Sequence, residues 1–200
     1  PIGLYVGATA TGATITGIAI YGFGGATDSD DNANIRVAAS NTTITGNVIG
    51  NSATNFSSAA PVATNADNVR VTGGTNVQIT NNLIGFANGK GIAINAGVTG
   101  SKISGNEIRS NARTVANLDG IDIQGASATI TDNLIVDNSG QGIDSFGSTG
   151  SNTITGNTIA GNGVGNSETA AVRIYGAGSS VLNNIISNNY GAGVMVTSAA

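Results

Sequence analysis

Two aspartates and an arginine occupy matching places in three short phrases, Ile121-Asp122-Ile123, Ile143-Asp144-Ser145 and Val172-Arg173-Ile174. If these phrases lie side by side as strands, the Asp122 and Asp144 backbones come within about 5 Å, with Arg173 one step beyond. Two close carboxylates raise one pKa unless a cation offsets them, and such a split can supply the acid and base of glycosidic-bond cleavage. A salt-bridged structural row is the competing reading of the same residues. A second candidate is Asp28-Ser29-Asp30-Asp31-Asn32, in which Asp28, Asp30 and Asn32 alternate like the first three oxygen ligands of a calcium loop. Ala33 stands where such a loop needs glycine and Ala39 where it needs the closing glutamate, so a solvated acidic turn competes with calcium. With no His and no Cys in the chain, thiol chemistry, disulfides, the usual zinc sites and His-based acid–base catalysis are excluded.

The elements that would position these residues are legible from repetition. The phrase Ile44-Thr45-Gly46-Asn47-Val48-Ile49 returns at Ile79–Ile84, Ile103–Ile108, Ile130–Ile135, Ile154–Ile159 and Val181–Ile186, after a first copy, Ile15–Ile20, that lacks the Asn. Apolar-x-apolar triplets such as Val69-Arg70-Val71 and Ile92-Ala93-Ile94 alternate with it, and several follow a glycine, as at Gly91, Gly120, Gly142 and Gly193. A triplet of this kind is the period-two mark of a half-buried strand, and repetition at a period of 20–50 residues marks a solenoid. Three short strands per turn predict an all-β, single-stranded parallel β-helix of about seven to eight coils, one elongated domain spanning residues 1–200 and about 35 Å long. Ile79, Ile130 and Val181 lie 51 residues apart, so two coils form one unit. Asn47, Asn82, Asn106, Asn133, Asn157 and Asn184 are expected to stack at the bend, where a left-handed backbone is needed, and to hydrogen-bond to one another and to nearby backbone. Neither end carries a recognisable amphipathic cap. The expectation is a segment of a longer protein, or a chain that stacks end to end.

Composition narrows the partners. The net charge of −4, with seven Lys and Arg, disfavours nucleic acid, and no apolar run approaches the ~20 residues of a membrane-spanning helix. The third strand of each turn would expose Val48, Leu83, Leu134 and Ile185, a stripe suited to lateral self-association.

These phrases resemble the right-handed parallel β-helix repeats of the pectate-lyase superfamily over nearly the whole chain, Leu4 to Val196. The resemblance implies a choice among polysaccharide lyases, glycosidases, tailspikes and long bacterial surface proteins. Asn117-Leu118-Asp119-Gly120-Ile121-Asp122 resembles the Asn-x-Asp-Gly-x-Asp stretch of polygalacturonases, and Val172-Arg173-Ile174-Tyr175 part of their Arg-Ile-Lys motif, but the paired Asp-Asp and the Gly-His-Gly coil are missing. The Thr-x-Thr phrases at Thr14–Thr16, Thr43–Thr45, Thr129–Thr131 and Thr153–Thr155 are similar to the ice-binding face of some β-solenoids. Abundant Gly, Asn, Thr and Ser with little charge is similar to bacterial exported proteins, which implies an extracellular or cell-surface location. The expected function is a rigid structural or adhesive segment, able to form fibres or bind glycans. A carbohydrate-active enzyme using Asp122, Asp144 and Arg173 is the alternative, and an ice-binding solenoid the second.

Overall fold

The computed structural model describes residues 1–24, 31–56, 67–113, 118–125, 127–145, 147–148, 150–163, 170–175 and 178–197. Among them there is no helix, and hence none that could cross a membrane. The chain winds through seven coils, numbered here from the N-terminus, and each coil gives one strand to each of three parallel sheets. The first sheet contains Ile2–Val6, Ala33–Val37, Asp67–Val71, Ile92–Ile94, Ile121–Ile123, Ile143–Asp144 and Ala170–Tyr175, and Ala192–Thr197 adds an eighth strand that begins another coil. The second sheet runs from Thr14–Thr16 to Ser180–Leu182 and the third from Ala19–Ile20 to Ile185–Ser187. The fold class expected from the repeats is the one observed.

Register is kept without a slip, because the period-two pattern sends every second residue inward and a one-residue shift would turn the core out to solvent. Ile44, Ile79, Ile103, Ile130 and Ile154 therefore align as one fully buried column in the second sheet. Ile49, Ile84, Ile108, Ile135 and Ile159 form another in the third. Each such side chain contributes about 1.5–3 kcal/mol on burial, so these columns are the main source of stability.

The bend between the second and third sheets differs from expectation in one respect. The left-handed residue is not the stacked asparagine but its predecessor: Gly46, Asn81, Gly105, Asp132, Gly156 and Asn183 have φ between 56° and 69°. Gly, Asn and Asp tolerate that conformation. Placing the turn one residue earlier frees the following asparagine to aim its amide along the coil axis.

Candidate functional site

The middle residues of the first-sheet triplets make one row, Tyr5, Arg36, Arg70, Ala93, Asp122, Asp144, Arg173 and Met195. Strand alternation points them away from the aliphatic core. In the middle coils they are nonetheless covered, with Asp122 6% and Asp144 5% exposed. Each acid has its own cation. Lys90 Nζ lies 2.9 Å from Asp122 Oδ2, while Arg173 holds both Asp144 oxygens, Nε to Oδ1 at 2.9 Å and Nη2 to Oδ2 at 2.5 Å. Gln124 also donates to Asp122, at 3.2 Å. Burial pushes the Asp122 carboxyl above the ordinary carboxylate range; Lys90 draws it back down and neighbouring Asp144 raises it. Two coils before Asp122 the Arg70 guanidinium grips Asp67 at 2.7 Å, and Asp67 also accepts the Lys90 backbone N–H at 2.7 Å. Asp119 is buried and accepts the Gln141 backbone N–H at 2.9 Å. The structure thus brings Asp122, Asp144 and Arg173 together. It places them in a covered row of ion pairs rather than on an open face.

The asparagines of the repeated phrase form a continuous amide column at the bend. Asn47 donates to Asn82, Asn82 to Asn106, Asn106 to Asn133, Asn133 to Asn157 and Asn157 to Asn184, each from Nδ2 to Oδ1 at 2.9–3.0 Å. Each Nδ2 also reaches a strand carbonyl one coil back, as Asn106 does with Ile79 at 2.8 Å. Each rung's backbone N–H bonds to the next amide oxygen, as Asn106 N does with Asn133 Oδ1 at 3.0 Å.

A second amide column, absent from the sequence expectation, runs along the other edge of the third sheet. Asn111, Asn138, Asn162 and Asn189 follow the first-column asparagines by five residues and are linked Nδ2 to Oδ1 at 2.9 Å. The spacing Asn-x-Ile-x-x-Asn, counted from the stacked asparagine of the repeated phrase in each of coils 4 to 7, is the signal that could have found it. Coils 2 and 3 obscure it by supplying the amide from elsewhere. Ala87 occupies the coil 3 corner, and Asn68, from the first-sheet strand of that coil, inserts its side chain instead. Asn68 Nδ2 donates to Asn111 Oδ1 and to Gly85 O, each at 2.9 Å, while the Ala87 backbone N–H bonds to the same Asn111 oxygen at 3.2 Å. Those are the bonds a corner amide makes elsewhere. Asn34 donates in turn to Asn68 at 2.8 Å.

The residue before each triplet follows the same rule. Where the corner carries asparagine this residue is small. A Cβ on Gly91 would come 2.8 Å from Asn111 Nδ2, on Gly120 2.9 Å from Asn138 Nδ2, and on Gly142 3.1 Å from Asn162 Nδ2. At coils 2 and 3 the same position is Asn34 and Asn68, in register across the sheet. In coil 1 both corners lack amides: Ile18 replaces the first and Phe23 the second, and a Cβ on Gly3 would lie 2.6 Å from the Phe23 ring.

Other candidate residues are placed as follows. Val48, Leu83, Glu107, Leu134, Thr158 and Ile185 stand in register along the third sheet, and Leu134 and Ile185 are exposed. A Glu107–Arg109 ion pair of 3.2 Å interrupts this apolar stripe. On the second sheet Thr16, Thr45, Thr80, Ser104, Thr131 and Thr155 form a row of hydroxyls that Leu182 interrupts on the last strand. Gln78 and Lys102 break the parallel row. Of the calcium-loop residues, Asp28 and Asp30 lie outside the described residues, as does Asn117, whereas Asn32 is buried. Among the described residues no three acidic side chains gather as a metal site.

Comparison with known proteins agrees with this geometry. The family model for the right handed beta helix region matches residues 3–200. No curated protein sequence matches. Among solved structures the Dettilon tailspike protein (gp208) is similar, with a TM-score of 0.50 and 16% identity over 98% of this chain and 49% of the tailspike chain. The chain therefore spans about half the length of that tailspike, and the likeness is one of fold.

Proposed function

Because the chain belongs to the right-handed β-helix family, we propose that it is a rigid scaffold segment of a secreted or cell-surface bacterial protein, offering its flanks to polysaccharide or to neighbouring subunits. The observation that carries this reading is the unbroken register of its sheets together with the ion pairing of its acids. A catalytic centre needs a break in regularity that admits substrate. Here each carboxylate of the first-sheet row is covered and matched to a cation, the arrangement of a structural element. The tailspike likeness supports a β-helical architecture.

Affinity electrophoresis against a panel of acidic and neutral polysaccharides tests the proposal. The expected result is retardation by at least one polymer with no shortening of its chains. Depolymerisation that disappears in Asp144→Asn would overturn it in favour of a carbohydrate-active enzyme. That second reading has one specific support: burial raises the Asp122 carboxyl above the ordinary carboxylate range, the direction a general acid of a glycosidase needs.

Lateral assembly is the remaining component of the scaffold role. The exposed third-sheet residues Leu134 and Ile185 would meet a neighbouring subunit. Leu134→Lys is expected to abolish self-association in sedimentation at unchanged thermal stability, and association that survives the change argues against this face.

A further inference from the structure

Each strand in the middle of the third sheet turns two side chains outward, from its first and third positions, while the second is buried in the core. On coil 4 the outward pair is Glu107 and Arg109, on coil 5 Leu134 and Val136, and on coil 6 Thr158 and Ala160. The pairs align from coil to coil without a slip. Leu134 is exposed and the other five are half-buried. Coil 3 continues the face with Leu83, beside which the Phe56 ring lies over Gly85, 3.1 Å from where a Cβ would stand.

The charge pair on coil 4 is loosely made. Arg109 Nε comes within 3.2 Å of Glu107 Oε1, yet it is buried and finds no hydrogen-bond acceptor. The approach is a contact of charges and not a directed bond, so both groups keep capacity for a second partner of opposite sign.

A second copy of the chain can meet this face about either of two kinds of two-fold axis. An axis along the strands sets the solenoids antiparallel and keeps first positions opposite first positions. Glu107 then faces another Glu107, or Leu83, Leu134 or Thr158 if the axis lies on a neighbouring level, and meets no cation. An axis along the solenoid keeps the coils level and reverses the strands, so every first position meets the partner's third. Glu107 then faces Arg109 twice, Leu134 faces Val136 twice, and Thr158 meets Ala160. Charge complementarity favours this second axis. The exposed aspartates of coil 5 stay at the rim: Asp132 Oδ1 and Asp137 Oδ1 turn along the solenoid over Gly156 and Gly161.

We propose that the third-sheet face of coils 3 to 6 is a two-fold interface between parallel copies of this chain, held by reciprocal Glu107–Arg109 pairs beside a Leu134–Val136 contact. It rests on the lateral-assembly component of the scaffold role, and supplies the partner, its orientation and the residues that fix it.

Two charge variants test it. Glu107→Arg makes the coil 4 pair wholly cationic and Arg109→Glu makes it wholly anionic, and at these partly exposed sites neither should move Tm by more than about 2 °C. A face only about 10 Å wide makes a weak contact, so sedimentation equilibrium is run at up to about 1 mM. The unaltered chain should dimerise, and each variant alone should associate at least about tenfold more weakly. An equimolar mixture of the two variants should recover the dimer, with one copy of each, because every arginine then faces a glutamate. The chain has no Cys, so Leu134→Cys and Val136→Cys each carry a single thiol. A short thiol–thiol cross-linker should join one variant to the other faster than either to itself. Charge variants that each dimerise like the unaltered chain, a mixture that stays monomeric, or Leu134→Cys chains that cross-link mainly to themselves overturn the parallel two-fold. Those results leave lateral assembly to be judged by Leu134→Lys, whereas an unaltered chain that stays monomeric at about 1 mM overturns both.

Discussion

Coils 2 and 3 build the second amide column by a different route from coils 4 to 7. In the later coils the amide sits on the corner, five residues after the first-column asparagine, and the residue ahead of the triplet is glycine or alanine. In the earlier coils the amide comes from the strand, through Asn34 and Asn68, and the corner does without. The hydrogen bonds are the same in kind. What is held constant is one amide per coil at a fixed point in space, since the backbone groups it satisfies would otherwise be buried and unpaired, at about 1–3 kcal/mol each. The chain position of the donor is free. Coil 1 is the limit of the series, where an aromatic ring fills the place and the column stops.

The largest expected effect comes from removing a rung that has only one route. Asn133→Leu strips bonds from Asn106, Ile103, Thr131 and Asn157 at once. It should cost about 3–5 kcal/mol, and a thermal melt should show a midpoint lower by roughly 10 °C. A loss below one or two degrees would mean that water replaces the amide and the columns are incidental. Next in size is Gly120→Ala, whose Cβ would meet Gly142 O at 2.8 Å and Asn138 Nδ2 at 2.9 Å. Overpacking of this kind costs about 1–3 kcal/mol. Gly193→Ala, in the open member of the same column, should be near neutral in the same melt. Equal costs at the two glycines would remove the contrast between filled and open places.

A smaller effect lies in the charge row. The folded-state pKa of Asp122 is raised, so the folded protein binds this proton more tightly than the unfolded chain does. Its contribution to stability therefore falls as pH rises from the ordinary carboxylate range through the Asp122 titration, and is most favourable in acid. Carboxyl-carbon NMR should place its midpoint above the ordinary Asp value, and Lys90→Met should move it higher still. A midpoint at or below the ordinary value would indicate that Lys90 outweighs burial.

The core, the three sheets and the first amide column were legible because they follow the repeated phrase: apolar residues alternate with period two, and Asn recurs at one place in it. The second column was only half legible. Asn111, Asn138, Asn162 and Asn189 keep a constant spacing, but Asn34 and Asn68 sit in another strand, and no spacing rule links a strand residue to a corner it meets only in three dimensions. The left-handed residue of the bend is not singled out by the repeated phrase, since Asn tolerates that conformation and Gly46 or Asp132 beside it does too. The covering of Asp122 and Asp144 was hidden for a related reason. Lys90 lies in a turn, and its reach to Asp122 depends on the stacking of coils rather than on local sequence.

The central claim, that one amide per coil must occupy the second corner whichever residue supplies it, is tested most directly by a double-mutant cycle on coil 3. Asn68→Gly alone should lower Tm, because Ala87 offers no amide in its place. Adding Ala87→Asn should recover most of that loss by converting coil 3 to the pattern of coils 4 to 6, giving a coupling of about 1–3 kcal/mol. Additive effects with no recovery would contradict the account.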